Sequence, residues 1–121
     1  MKYETIQENE EFIIINKPAG LLVHGANHLE EETLADLLLE KYPEIKKVGD
    51  DPIRPGIVHR LDKLASGLMV VARTQKSFDN LKEQFQKRTV KKYYTALVYG
   101  QIAKDKDEIN FPILRSSKGY K

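Results

Sequence analysis

Asp62 stands between Arg60 and Lys63 and three residues after His59, in the stretch HRLDKLASGL at 59–68. A carboxylate in that company can act as a nucleophile at a sugar carbon or as a general base, and a cation such as Arg60 nearby favours its ionised form. The ordinary alternative is an exposed residue in a weak surface ion pair. His59 is either a base or a structural histidine beside a turn. Two further stretches join reactive groups to turn residues, KPAGLLVHG at 17–25 and KKYYTALVYG at 91–100. Each links a loop to a predicted strand, where rigid scaffolds tend to present functional side chains. Tyr94, in the second of these, is by default a packed strand aromatic.

Other chemistries fall away on residue types. The chain has no cysteine, which removes thiolate catalysis, disulfides and cysteine-held metals. His24, His28 and His59 lack the helical spacing of an HExxH zinc site. Ser66-Gly67 is not a Gly-x-Ser-x-Gly elbow, because Leu64 stands two residues before the serine. A two-carboxylate hydrolase built on Asp62 would need a second acid, and no Asp or Glu is well placed for it by sequence. No cofactor or metal is expected.

The elements that must position these residues follow from the apolar pattern. Phe12–Ile15 reads as a buried strand entering the Pro18-Ala19-Gly20 turn, and Leu21–Val23 as a second short strand. Thr33 with Asp36 three residues on reads as a helix N-cap, and Leu34, Leu37, Leu38 and Tyr42 repeat at helical spacing until Pro43. KKVGDDPIRPG at 46–56 is the strongest loop signal. Leu68–Arg73 reads as an interior strand, which places Asp62 just upstream of a rigid element. Thr74 caps a second predicted helix with Phe78, Leu81 and Phe85 on one face and Lys76, Lys82 and Lys87 facing out. Residues 94–100 and 109–114 read as further strands. The order predicts one α+β domain over residues 1–121, with a mixed or antiparallel sheet.

At 121 residues the chain suits one core, and 40% hydrophobic with 31% charged residues is a globular balance, so it should fold. The acidic residues ahead of Phe12 do not resemble a signal or transit peptide, and no apolar stretch approaches a membrane span. A soluble cytoplasmic protein is expected. The net charge is only +2, but it is unevenly placed: Glu8, Glu10, Glu11 and Glu30 to Glu32 load the first third with acid. Lys82, Lys87, Arg88, Lys91 and Lys92 face one acid, Glu83, and Arg115, Lys118 and Lys121 follow. Such runs are commonly solvated helix faces; the functional alternative is a surface that tracks phosphates.

Taken together and in order, the three stretches resemble the RluA/RluD-type family of RNA pseudouridine synthases. The family pattern Lys-Pro-x-Gly-hydrophobic-hydrophobic-Val-His is matched by Lys17, Pro18, Gly20, Val23 and His24. Its hallmark His-Arg-Leu-Asp-x-x-x-Ser-Gly-Leu is matched by His59, Arg60, Leu61, Asp62, Ser66, Gly67 and Leu68. Lys-x-Tyr-x-Ala-x-Val-x-Gly is matched by Lys92, Tyr94, Ala96, Val98 and Gly100.

The resemblance implies an isomerase of ribosomal or transfer RNA in which uracil is detached from its ribose, turned and rejoined through carbon 5. Asp62 falls on the catalytic carboxylate and Tyr94 on the aromatic that stacks on the flipped base. Arg60 falls on the arginine that assists base flipping. His59, Lys17, Lys87, Arg88, Lys92 and Arg115 are then expected RNA contacts. Leu64-Ala65 departs from the family's usual Asp-Thr-like pair, removing a hydroxyl and a charge from the loop. The family's catalytic domain, a mixed, largely antiparallel sheet flanked by helices, continues past the position of Lys121. The expectation is therefore the first part of such a domain, without a separate RNA-binding module. The alternative is an RNA-binding member without turnover that self-associates through unpaired sheet edges.

Overall fold

The computed structural model describes residues 1–25 and 31–114. Strand β2 (Phe12–Lys17) lies between β1 (Glu4–Glu8) and β3 (Gly67–Ala72), antiparallel to both. The β-branched run FIIINK suits a central strand, and its period of two sends Ile13, Ile15 and Lys17 into the core while Asn16 faces out. Val71 and Met69 oppose Ile13 and Ile15 across the ladder and are buried with them. Each of these isoleucines is fully buried, worth about 2 kcal/mol in removed apolar surface.

Strand β1 was not predicted, because ETIQE has neither an apolar run nor a clean alternation. It forms at the free edge of β2 through a turn in which Asn9 Oδ1 accepts from the N–H groups of Glu11 (2.8 Å) and Phe12 (2.9 Å). The register slips between Thr5 and Gln7, a bulge that leaves the strand mostly exposed.

Helix α1 (Leu34–Lys41) begins at the capping box expected of Thr33 and Asp36 and buries Leu34, Ala35 and Leu38 against Ile13 and Ile15. Pro43 ends it, and Pro43–Lys47 continue as a 3-10 helix that adds Ile45 to the core. Helix α2 (Gln75–Gln86) starts at Thr74, whose hydroxyl accepts from the Ser77 N–H. Its Phe78 packs with Val48 and Ala72 in a second, smaller cluster. The 46–56 loop is held between these parts by Gly56, which has φ +71° and lies so close to Ala72 that a Cβ would come 2.5 Å from the Ala72 carbonyl oxygen. Only glycine fits there.

The α+β class with an antiparallel sheet is as expected, but three predicted strands are corrected. Residues 21–23 are not a strand: the carbonyls of Leu22 and Val23 accept from the first amides of α1, Leu34 N–H at 2.8 Å and Ala35 N–H at 2.9 Å, so no ladder is available to them. Residues 94–100 and 109–114 form no strand and pair with none among the described residues. No helix among the described residues is long and apolar enough to cross a membrane.

Candidate active site

The segment from Ile57 to Gly67 enters β3 by an alternation of buried and exposed residues. Ile57 bridges Val71 and is buried; Leu61 reaches the main core; Arg60 and Asp62 are exposed. His59 is turned inward. Its Nε2 accepts the Val70 N–H at 3.1 Å, which leaves the proton on Nδ1, and its ring stacks on Phe85 of α2 with centroids 4.4 Å apart. Burial, reinforced by the Lys92 cation, pushes the His59 pKa down to about 4. The imidazole is neutral at physiological pH and serves as a fastening between strand and helix.

On the other side of Asp62 the fastening is Lys17. Because β2 alternates, this lysine lies on the same face as Ile13 and Ile15 and is completely buried. Its ammonium donates to the carbonyls of Pro18 (2.9 Å), Leu21 (2.8 Å) and Lys63 (3.1 Å). Three N–H donors meet three acceptors, a match that a neutral amine would not supply. Burial pushes the Lys17 pKa below its usual range, and the negative charge of Asp62 opposes that shift. The Lys63 carbonyl also accepts the Gly20 N–H at 2.7 Å, so the KPAG turn and the Asp62 loop are bonded to each other. The Lys63 side chain points away, to Glu31 at 3.1 Å.

The loop is thus held at His59, Leu61 and Lys63, and the side chains it leaves free are those of Arg60 and Asp62. Neither enters a hydrogen bond or ion pair among the described residues. The Leu64-Ala65 departure does not open the turn, since the Ala65 N–H donates to the Asp62 carbonyl at 3.0 Å. Leu64 is exposed beside the carboxylate. Gly67, at φ +143°, turns the chain from this loop into β3, in a conformation that a residue with a Cβ adopts only under strain.

One of the expected RNA contacts is corrected by geometry: Lys17 is buried and saturated by three backbone carbonyls, so it positions the loop. His59 is partly buried, with Nε2 held by the Val70 N–H. Lys87 is exposed and paired with Glu83 at 2.6 Å. Arg88 and Lys92, with Phe85 and Val90, line a cavity of about 460 Å³, and the Lys92 ammonium lies 5.6 Å from the centre of the Phe85 ring. Tyr94 is 67% exposed in the extended tract. Arg115 lies outside the described residues. Sequence reasoning missed the inward phase of Lys17, although counting by twos from Ile13 reaches it. It also placed Phe85 only on an apolar helix face, not against His59.

The family model described as RNA pseudouridylate synthase matches residues 11–121. The chain is 40% identical over 112 residues to an uncharacterized RNA pseudouridine synthase of Synechocystis, covering 93% of this chain and 34% of that protein. It is 48% identical over 98 residues to ribosomal large subunit pseudouridine synthase D of Nitrosomonas europaea, covering 81% of this chain and 27% of that one. Among solved structures it resembles human RNA pseudouridylate synthase domain containing 4, with TM-score 0.52 and 29% identity over 71% of this chain and 30% of the other. The chain belongs to the RNA pseudouridylate synthase family. It spans about a third of the length of the curated relatives it matches.

Proposed function

We propose that the chain carries the catalytic loop of an RNA pseudouridine synthase, an isomerase that converts uridine to pseudouridine with Asp62 as its reacting carboxylate. The observation that carries this reading is the exposure of Asp62 on a loop fastened on both sides by part-buried hydrogen bonds. A nucleophile or base held this way meets its substrate without first being ordered. In the reaction the bond from ribose C1′ to uracil N1 breaks, the bond from C1′ to C5 forms, the C5 proton is lost to a base or solvent and N1 takes up one proton. Asp62 acts at the ribose by attack on the sugar carbon or by removal of a sugar proton. Arg60, two residues away and on the same exposed side of the alternation, braces the gap left by the flipped nucleotide. Tyr94 stacks on the uracil, and Lys87, Arg88, Lys92 and Arg115 bind phosphates. No cofactor is required. Several relatives are named for the ribosomal large subunit, which favours ribosomal over transfer RNA. The reaction belongs in the cytoplasm, where that RNA is made.

The deciding experiment is tritium release from RNA labelled at uridine C5, run with ribosomal and transfer RNA and with Asp62→Asn. Release from ribosomal RNA that falls at least about a thousandfold in the variant supports the reading. Release unchanged in the variant removes Asp62 from the chemistry.

A second reading has its own observation. Tyr93, Leu97, Tyr99, Ile109, Phe111 and Ile113 are each more than 80% exposed, and the outer edge of β1 has no strand partner among the described residues. Such surface favours self-association of an RNA-binding chain without turnover. Sedimentation as a dimer that binds RNA and releases no tritium would select it.

A further inference from the structure

We propose that the cavity bounded by Phe85, Arg88, Val90 and Lys92 is a subsite for one nucleotide flanking the uridine presented to Asp62, with its base against Phe85 and Val90 and its phosphate held by Arg88 and Lys92. The proposal rests on the RNA reading above and adds a site to it.

The cavity, at about 460 Å³, is large enough for a single nucleotide. Its lining joins an aromatic and a β-branched face to two cations, the combination that single-stranded nucleic acid takes by base stacking and phosphate contact. The cations are available. Lys87 is neutralised by Glu83, whereas neither Arg88 nor Lys92 has a carboxylate partner among the described residues. The Lys92 ammonium lies 5.6 Å from the centre of the Phe85 ring and would move aside onto the phosphate as a base enters.

Arg88 is the second observation. It sits at φ +57° just past the end of α2, where the Thr89 N–H reaches the Gln84 carbonyl (3.0 Å) and the Arg88 N–H reaches the Phe85 carbonyl (3.2 Å). This helix ending places its left-handed residue where glycine is the usual occupant. An arginine kept there against backbone strain is what a functional side chain would require.

The site is also connected to the loop. Phe85 stacks on His59, three residues before Asp62, and the Lys92 charge adds to burial in holding down the His59 pKa. The other charged groups around Phe85 are Asp50, Arg54 and Lys82, which border the adjoining cavity of about 280 Å³, with Lys82 paired to Asp50. A phosphate on Lys92 offsets the cation that His59 feels, so occupancy is read at the imidazole.

The test is NMR titration of uridine 5′-monophosphate, uridine and inorganic phosphate into the chain and into Lys76→Gln, Arg88→Gly and Lys92→Gln. The monophosphate should shift His59 and Phe85 and raise the His59 titration midpoint. The nucleoside and phosphate alone should bind about tenfold more weakly. Arg88→Gly should weaken binding about tenfold while raising the melting temperature, because glycine relieves the backbone as it removes the guanidinium. Lys92→Gln should weaken binding similarly, and Lys76→Gln, at an exposed α2 lysine outside the cavity, should leave it unchanged. Monophosphate binding that is absent, that is indifferent to Arg88→Gly, or that leaves His59 and Phe85 unshifted overturns the subsite. The outcome is separable from the synthase reading: Asp62-dependent tritium release without this binding sinks the subsite alone, and Arg88-dependent binding without tritium release sinks only the catalytic reading.

Discussion

Leu61 and Leu97 both sit in aliphatic-rich stretches of the family pattern, yet Leu61 is 8% exposed and Leu97 is wholly exposed. The Asp62 loop and the tract at 93–114 differ less in composition than in what surrounds them. The loop borrows order from three directions: β3 and α2 through His59, the main core through Leu61, and the KPAG turn through Lys63 and Lys17. The tract has β-forming residues but no strand beside it among the described residues, so its alternation has nothing to bury against. Irregular backbone becomes well defined where its polar groups find buried partners, and strand-like sequence does not where they find none.

The largest expected effect on this contrast comes from Lys17→Met. It leaves three carbonyls without their donor at the join between the two turns, and should destabilise the chain by about 4 kcal/mol in urea unfolding. The loop should lose order with it, seen as faster exchange of the Gly20 and Ala65 amides. Unaltered exchange would mean that Leu61 and His59 hold the loop without the lysine.

Next in size is the pair Leu61→Ala and Leu97→Ala. The first should cost about 3 kcal/mol, by loss of buried contacts and creation of a cavity, and the second less than about 0.5 kcal/mol. Equal costs would show that the tract at 93–114 is buried in solution, most simply by self-association, and concentration dependence would identify that.

The smallest effect is in pH. The folded pKa of His59 is about 4 against 6.5 for the free side chain, so between those values the unfolded chain binds more protons than the folded one. Stability therefore falls as pH drops from about 6.5 toward 4, by on the order of 2 to 3 kcal/mol in all. His59→Gln, which retains an acceptor for the Val70 N–H, should flatten that slope. A slope that persists in the variant would place its origin in the carboxylates.

Much of this was readable in the chain. The β-branched runs at 12–15 and 68–72 led to the two paired strands at the centre, and Thr33 and Thr74 to both helix starts, because these signals act over a few residues. Asp62 was singled out by its neighbours in the pattern, and its exposure follows from the alternation around Leu61. Two kinds of inference failed. Residues 21–23, 94–100 and 109–114 read as strands on their own propensity, but a strand exists only with a hydrogen-bonding neighbour, and the chain order does not say which segment that is. The RNA contact that the resemblance implies for Lys17 is not open to it, because its burial depends on which carbonyls the fold brings to the ammonium.

Local backbone preference, helix capping and the residues of the reactive loop are properties of short stretches, so the amino-acid order carries them directly. The burial of a lysine against a carbonyl 46 residues away, the stacking of His59 on Phe85 and the idle alternation of the 93–114 tract depend on which distant groups arrive beside one another. Those were settled by packing, because the free energy of a polar or apolar side chain is set by the neighbours that replace water around it.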